Sequence, residues 1–574
     1  MALSNAEIAR MLNEIADLLE IEGANPYRVR AYRNAAFGLE GLRQSVADLV
    51  ERGEDLTELP GIGEALAEKL TEVVRTGRIH QLDELRQRIP AQLIDLYRVP
   101  GLGPKRVQTL YQKLGITSLP ELEQAARAGK VRELPGMGEK IEQDIIRQIE
   151  QIGPGSERIR RIVAEQIAEP LAAYLREGEG IEDVAIAGSY RRGVETVGDL
   201  DILVISEEGR RAAERLVAYE FVGEVVSQGD TRSTVKLRSG VQVDMRVVPR
   251  RSYGAALSYF TGSKAHGLAL RQMAIRHGLK LNEYGIFRGD EQIAGETEEE
   301  LYATLGLPYI VPELREDRGE IEAAREGRLP HLVTVEDLRG DLQSHTTASD
   351  GRSSLEEMVQ AARARGYRYL AVTDHSKYIA VTNGLDADRL ARQIDEIDRL
   401  NEELEPSGFR LLKSCEVDIR DDGTLALPND ILSRLDLTVC SVHSRFGLSA
   451  EEQTERIIRA MDNPYFNILA HPTGRRIGER RPYDIDMERL MTAALERGCY
   501  MEINAQPERL DLHDVHCKMA KEMGLKLAIS TDAHHESNLD YARLGVMQAR
   551  RGWLEADGVL NTRDVDDLLR LLKR

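Results

Sequence analysis

The sequence predicts a chain of several domains: an all-helical front, an α+β middle and a rear α/β barrel. Three observations lead there. The 574 residues exceed the usual domain size several times over. Residues 1–150 carry apolar side chains at helical spacing, as in Ile8, Met11, Leu12, Ile15, Leu18 and Leu19. Beyond about residue 336 short apolar runs alternate with amphipathic stretches, and chemically loaded residues follow nearly every run, as at the C-terminal rim of an α/β barrel.

In the front, one pattern recurs: Leu59-Pro60-Gly61-Ile62-Gly63, Val99-Pro100-Gly101-Leu102-Gly103 and Leu134-Pro135-Gly136-Met137-Gly138. The glycine onsets lie 40 and 35 residues apart, which indicates one reused supersecondary unit and is too uneven for a solenoid. From about residue 181 the texture turns to strands. Val184 to Ala187, Asp201 to Ile205 and a hairpin from Thr234 to Val248 around Arg238-Ser239-Gly240 are the candidates. The charged stretch from Glu313 to Arg328, edged by Pro312 and Pro330, reads as a domain connection. Behind it, strands are expected at Tyr369 to Val372, Leu437 to Val442, Asn467 to Ala470 and Leu527 to Ser530.

Composition bounds the function. No basic leader opens the chain and no apolar run nears the ~20 residues of a membrane helix, so a cytosolic protein is expected. Cys415, Cys440, Cys499 and Cys517 form no CxxC pair and are too sparse for a disulfide scaffold, so reduced thiols are expected. The net charge of −20 argues against bulk electrostatic attraction to a nucleic acid. Acidic residues exceed basic ones by 24 to 20 in 1–150, 30 to 24 in 151–330 and 43 to 33 thereafter, so no basic tail compensates. DNA binding would have to use backbone amides, a few Arg and Lys side chains and bound metal ions.

The repeated turns supply the first of these. A small apolar residue between two glycines, set between helices, lets the backbone approach a phosphate and aim N–H groups at it; the bland alternative is a turn that only packs. Gly61, Gly63, Gly101, Gly103, Gly136 and Gly138 are the candidate DNA contacts, and the pattern resembles helix-hairpin-helix motifs, which implies sequence-independent backbone contact.

In the middle, Gly198-Asp199-Leu200-Asp201 leads into an apolar strand whose alternation puts Asp199 and Asp201 on one face. Adjacent carboxylates repel unless divalent cations lie between them, and two such ions are what nucleotidyl transfer needs. Asp244, sharing a strand face with Arg246, can serve as base for a primer 3′-hydroxyl. Upstream, Gly188-Ser189-Tyr190-Arg191-Arg192-Gly193 suits triphosphate oxygens. A lone Asp-x-Asp is commonly a surface turn; the full set is not.

At these residues the chain resembles the family X DNA polymerases, the group containing DNA polymerase beta, over residues 1 to about 317. The resemblance implies that Asp199 and Asp201 bind two Mg²⁺ or Mn²⁺ ions, that Asp244 binds the catalytic one, and that Ser189, Arg192 and Gly198 contact the triphosphate. It adds Tyr259, Phe260, Thr261, Gly262, Lys264, Arg271 and Asn282 as nucleotide-pocket residues. Lys264 stands where the vertebrate enzyme has an acidic residue, which bears on nucleotide binding and fidelity. For removal of a 5′-deoxyribose phosphate the matching nucleophile is Lys69, with Tyr32 nearby, although Ala65 replaces an accessory lysine.

Eight of the twelve histidines fall after residue 340. His375, His443, His471 and His534 each end a strand-like run, and His345, Asp350, Asp374, Glu416 and Asp532 take comparable positions, a set that requires a multinuclear metal site. These motifs look like the polymerase and histidinol phosphatase (PHP) domain, a distorted seven-stranded β/α barrel that hydrolyses phosphoesters with two or three Mn²⁺ or Zn²⁺ ions. The resemblance implies one site from His345, Glu416 and Asp532, a second from Glu416, His443 and His471, and a third from Asp350, His375 and His534. Gln343 stands where that family usually has His.

The expected domains are 1–85 (lyase-like, with the first hairpin), 86–150 (further hairpins), 151–250 (palm), 251–317 (thumb), 318–335 (linker) and 336–574 (PHP). The implied protein is a bacterial, cytoplasmic, monomeric enzyme that fills short gaps in DNA repair from deoxynucleoside triphosphates and carries 3′–5′ exonuclease and abasic-site endonuclease activities. Two other readings stay open: a phosphoesterase whose front half only binds DNA, and a polymerase with a structural rear domain.

Overall fold

The structure is a computed structural model and describes residues 3, 5–42, 44–59, 61–90, 93, 96, 99, 102–139, 141–143, 145–146, 158–378 and 382–573. It forms two compact units, one of Met1–Ala187, Thr196–Arg250 and Gly478–Arg480, the other of Gly188–Glu195, Arg251–Ile477 and Arg481–Arg574.

In the first unit the described residues of the front are helices and turns. Helix Asn5–Glu22 buries Ile8, Leu12, Ile15 and Leu18 completely, at the spacing the sequence displays, against helix Pro26–Gly41. Asn25 caps the latter by accepting from the Tyr27 amide, with Pro26 at the first helical position. Seven strands follow: β1 (Ile159–Arg160), β2 (Asp183–Ile186), β3 (Thr196–Val197), β4 (Asp199–Ile205), β5 (Val222–Gln228), β6 (Arg232–Leu237) and β7 (Gln242–Val248). Five of them make one sheet in the order β2-β4-β7-β6-β5, with β4 and β7 parallel.

In the second unit, the antiparallel β8 (Lys280–Asn282), β9 (Gly285–Arg288) and β10 (Glu291–Ala294) pack with helices Tyr253–Thr261, Lys264–Arg276 and Glu298–Thr304. The charged connection is itself built into this core. It contains the helix Glu320–Arg325, and Arg315 and Glu320 are fully buried. Arg315 pairs with Glu298 at 2.5 Å, and His266 joins Glu320 at 2.6 Å and the Tyr302 hydroxyl at 2.9 Å. Burial on its own would raise the Glu298 pKa, but the charge of Arg315 and the hydrogen bonds of Arg191 hold it down to about 2.

The rear part has parallel strands in two runs: β11 (Gly340–Ser344), β12 (Tyr369–Val372) and β13 (Arg410–Lys413), then β14 (Glu416–Asp418), β15 (Val439–Ser441), β16 (Ile468–Leu469), β17 (Tyr500–Asn504) and β18 (Leu527–Ser530). Single bridges join His375 to Glu416 and Ser344 to Ala533. Side-chain alternation feeds two separate cores. Leu342, Tyr369, Ala371, Leu412, Val439, Ile468 and Ala528 meet in one, while Leu370, Val372, Leu411, Cys440, Leu469, Met501 and Ile529 join the helices in the other. Both faces are therefore buried, which is why these strands read as continuous apolar runs. The runs expected at Leu437 to Val442 and Asn467 to Ala470 are shorter as strands, because the chain turns away at their ends to deliver His443 and His471. All four cysteines are buried, and none forms a disulfide among the described residues. No described helix is long and apolar enough to cross a membrane.

Candidate active sites

The three glycine turns share one hydrogen bond among their described residues. The amides of Ile62, Leu102 and Met137 donate to the carbonyls of Leu59, Val99 and Leu134 at 3.1, 2.9 and 3.1 Å, and these middle side chains are buried. Gly61 and Gly136 have φ of 77° and 76°, a region that favours glycine, while Gly101 lies outside the described residues. Gly63 and Gly103 are N-caps of helices Glu64–Thr76 and Pro104–Leu114, and nothing lies within 4 Å of the place a Cβ would take at Gly63, Gly103 or Gly138. No side chain caps these helices, so first-turn amides that the helix does not use stand with the positive end of its dipole after Gly63 and, past Pro104, after Gly103. Tyr32 is buried and donates to Gln81 at 2.6 Å, whereas Lys69 donates to its own helix at Ala65, so no hydrogen bond joins the two.

The middle carboxylates sit on β4 and β7, where Asp201 is in register with Asp244 and Asp199 with Gln242. Asp244 accepts from Thr234 Oγ1 and Gln242 Nε2, each at 2.6 Å, and from Arg232 at 3.4 Å. Burial pushes its pKa up, but these donors outweigh it and hold it below the usual carboxylate value. Gly198 immediately precedes β4.

Of the residues expected to line a nucleotide pocket, Arg192, Thr261 and Gly262 are in mutual contact in the second unit. Ser189 lies in the short helix Gly188–Arg191. Arg191 grips Glu298 through two hydrogen bonds of 3.0 and 2.7 Å, and Arg192 donates to the Thr261 carbonyl at 2.6 Å and to Glu316 at 3.0 Å. Gly262 has φ 68° and lies so close to Arg192 that a Cβ would meet its guanidinium at 3.3 Å. Arg271 covers the ring of the exposed Tyr259 at 5.0 Å, Tyr259 meets Phe260 edge-on, and Lys264 opens the helix Lys264–Arg276. Asn282 turns inward on its own hairpin, accepting from the amides of Tyr284 and Gly285.

In the rear domain the candidate ligands gather around Glu416. Ligand atoms within 4.8 Å of one another come from His345, Asp350, His375 and His534; from His375, Glu416 and His443; and from His345, Glu416 and Asp532. His471 reaches Glu416 at 3.2 Å. Among the described residues, such clusters of His, Cys, Asp and Glu occur only here. His345 stacks on His534 and His375 with centroids 4.2 and 4.5 Å apart. His471 and Asp532 take positive φ values of 28° and 52°, strained backbone of the kind that clusters at sites.

The donor set fits divalent cations. His345 Nε2 lies 3.0 Å from Asp532 and 3.3 Å from Glu416, yet makes no aligned hydrogen bond, so lone pairs and carboxylates converge on one shared space. His471 Nδ1 and Gln343 Oε1 are likewise buried without partners. Gln343 Nε2 points at Glu416 at 2.9 Å and Asp532 at 3.4 Å. Burial would depress His345 and His443, but the carboxylates prevail: Asp532 and Glu416 hold His345 well up, and Asp418 and Glu416 raise His443 to about 9. His375 goes down through burial and His471 falls to about 4.

Three further groups lie behind the ligands. Asp418 accepts from His443 Nδ1 at 2.9 Å, Asn504 donates to Asp532 at 3.0 Å, and Glu502 accepts the His471 amide at 2.7 Å. Sequence reasoning missed them, although Glu416-Val417-Asp418 and Glu502-Ile503-Asn504 put polar residues at every second place of buried strands. Asp374 faces away, satisfied by Thr346, Ser349 and Gln393, and shapes the loop that carries Asp350.

Comparison with known proteins agrees with this layout. Family models match in order: Helix-hairpin-helix domain (3–79), SAM-like helix-hairpin-helix tandem (93–151), DNA polymerase beta palm (158–247), DNA polymerase beta thumb (256–316) and PHP domain (341–506). The DNA polymerase/3′-5′ exonuclease PolX of Bacillus subtilis (strain 168) is 38% identical over 572 residues, 99% of each chain. A probable phosphatase of Thermoanaerobacter sp. (strain X514) is 32% identical over 244 residues, 41% of this chain and 94% of its own. DNA polymerase lambda of Arabidopsis thaliana is 27% identical over 301 residues, 46% of this chain and 54% of its own. The chain thus belongs to the bacterial family X DNA polymerases, whose polymerase-beta-like core is followed by a PHP domain.

Proposed function

We propose that this protein is a DNA-directed DNA polymerase for short gaps, with a metal-dependent 3′–5′ exonuclease in its rear domain. The observation that carries the reading is the presence of two carboxylate centres of different build, the register-matched Asp201 and Asp244 in one unit and the imidazole-rich cluster on Glu416 in the other.

For nucleotide addition Asp199, Asp201 and Asp244 would hold two Mg²⁺ or Mn²⁺ ions, which would supply positive charge for hydroxyl activation and for the pyrophosphate. Asp244, kept ionised by Thr234, Gln242 and Arg232, takes the proton of the primer 3′-hydroxyl. Ser189, Arg192 and Gly198 grip the triphosphate, and Tyr259 to Gly262, Lys264 and Arg271 line sugar and base. The hairpin glycines hold the DNA backbone without sequence preference.

In the rear domain Gln343, His345, Asp350, His375, Glu416, His443, His471, Asp532 and His534 would hold two or three Mn²⁺ or Zn²⁺ ions, which would supply water activation and charge neutralisation for phosphoester hydrolysis. Hydrogen bonding fixes the tautomers. His443 Nδ1–H is spent on Asp418 and His534 Nδ1–H on the Asp532 carbonyl, which turns each Nε2 toward the cluster. Closure of the parallel strands into a seven-stranded barrel, with β13 and β14 as one interrupted strand, is supported by the two joining bridges and the strand-lined inner core. Abasic-site cleavage, a role in base excision repair, a monomeric state and a cytoplasmic location complete the reading. The phosphatase-like relative favours one alternative, hydrolysis of 3′-terminal phosphomonoesters at the same cluster.

Primer extension and 3′ degradation on gapped DNA, with Mn²⁺ or Mg²⁺, test the reading on wild type, Asp244→Ala and His471→Ala. Each variant is expected to lose one activity and keep the other. Loss of both by either variant would refute two separate centres. Release of phosphate from a 3′-phosphorylated primer without nucleotide removal would replace the exonuclease by the phosphatase.

A further inference from the structure

The segment Gly188–Glu195 carries Ser189 and Arg192, and rear-domain side chains hold its second half, Arg192 to Glu195, at both ends. At one end Arg551 Nη1 donates to the Arg192 carbonyl at 2.7 Å and to Glu316 at 2.9 Å, the same carboxylate oxygen that takes Arg192 Nε at 3.0 Å. Arg551 is itself fixed by Asp514 at 2.6 Å. At the other end Glu195 receives both terminal nitrogens of Arg475, at 3.1 and 2.6 Å, and Gln548 Nε2 at 3.2 Å. Between them Gly193, with φ 72°, packs so tightly on the helix Ala542–Arg551 that a Cβ would come within 2.6 Å of Met547. Arg475, Gln548 and Arg551 are 9%, 2% and 5% exposed, so these are built contacts and not surface pairs whose value solvent would erase.

We propose that Arg551, Gln548 and Arg475 are positioning residues of nucleotide addition: the PHP domain holds the triphosphate-binding segment of the polymerase in its binding conformation. The inference rests on the reading that Ser189 and Arg192 hold the triphosphate. Two effects act in one direction. Anchoring the segment before substrate arrives lowers the ordering cost of binding. Arg551 also shares the Glu316 charge, so that Arg192 is not locked into a private ion pair that phosphate oxygens would have to break. Domain-to-domain adhesion alone does not explain why all three side chains act on these eight residues, one of them on the backbone of Arg192.

The test uses the full chain and compares wild type, Arg551→Gln, Glu195→Gln and Arg192→Ala. KM for deoxynucleoside triphosphate and kcat are measured on gapped DNA, beside 3′ degradation and thermal melting. Arg551→Gln is expected to raise KM about tenfold and Glu195→Gln about threefold, the scale of lost preorganisation, with kcat and degradation near wild type and melting lowered in Arg551→Gln, where buried Asp514 loses a partner. Unchanged KM in both, while Arg192→Ala raises it, overturns the inference and leaves the function of the segment standing. Unchanged KM in Arg192→Ala refutes the underlying assignment and the inference with it. If Arg551→Gln loses both activities together, Glu195→Gln decides by the same split of KM from kcat, since its partner Arg475 keeps backbone acceptors at Arg509 and Leu510.

Discussion

Replacing Asp418 by Asn removes one charge from the rear centre without changing its shape. Asp418 is 2% exposed, accepts from His443 at 2.9 Å and from Ser376 at 2.8 Å, and with Glu416 raises His443 to about 9. A hydrogen bond to a buried carboxylate contributes about 1.5–3 kcal/mol and a neutral one about half that, so the swap costs up to about 1.5 kcal/mol where the amide oxygen still faces the ring. Where the amide nitrogen faces it instead, the imidazole takes the other tautomer and turns an N–H toward Glu416, and the loss reaches about a hundredfold. The assay is 3′ degradation of a labelled strand across a Mn²⁺ titration. Asp418→Asn is expected to raise the half-saturating Mn²⁺ by roughly ten- to a hundredfold, to recover at high Mn²⁺, and to leave primer extension unchanged. Half-saturation within threefold of wild type would show that Asp418 does not orient a metal ligand.

Asp201→Ala should lower nucleotide addition by several orders of magnitude and spare 3′ degradation; extension within tenfold of wild type would contradict the assignment. Gly103→Val places its side chain in open space at an ordinary φ of −70°, so melting should hold while affinity for gapped DNA falls about tenfold, and unchanged binding would make the turn a packing device. Glu298, held near 2 against an ordinary 4.5, contributes stability in full above pH 4.5 and loses it as pH falls toward 2, a loss of about 3 kcal/mol. Denaturant unfolding of the full chain against pH should show that slope, and Glu298→Gln should flatten it. Gln343 must turn its carbonyl toward Glu416 and Asp532 to serve a cation, so Gln343→Ala should weaken Mn²⁺-dependent degradation far less than His345→Ala; equal damage would make the amide an essential ligand.

The strands that carry the chemistry were legible because burial on both faces leaves apolar runs that end abruptly in His or Asp, as Tyr369 to Val372 does before Asp374 and His375. The hairpin turns were legible because only glycine serves at Gly61 and Gly136. Strand β17 escaped because Glu502 and Asn504 interrupt its apolar pattern, and β5 because its side chains are exposed along nearly its whole length. The grouping of the candidate ligands is a three-dimensional property: His375 and Asp350 stand 25 residues apart, and their placement with His534 was expected from the family resemblance and not from spacing, while His345 beside them was not expected there. The connection after the thumb misled by its charge. Arg315 and Glu320 lie in the stretch read as a domain connection, but their partners Glu298 and His266, 17 and 54 residues away, draw both charges inside.

An overall charge of −20 on a protein that handles DNA is reconciled by where charge is placed. The rear cluster holds three carboxylates, Asp350, Glu416 and Asp532, among histidines that ligate as neutral rings. Against these, and against Asp418 behind His443, the proposed two or three divalent ions would set four or six positive charges, so the loaded centre would be neutral or positive although each residue that builds it is neutral or acidic. A strand's reacting phosphodiester then meets attraction only where its chemistry occurs, while the acidic surface repels the rest of the polyanion. The glycine turns act in the same sense, since first-turn amides attract a phosphate within hydrogen-bond range and exert little force beyond it. Affinity built this way is short-ranged, so binding of gapped DNA should fall far less steeply with salt than the ten or so released counterions typical of a basic DNA-binding face. A steep salt dependence would place the main contacts on Arg and Lys side chains instead of on the turns.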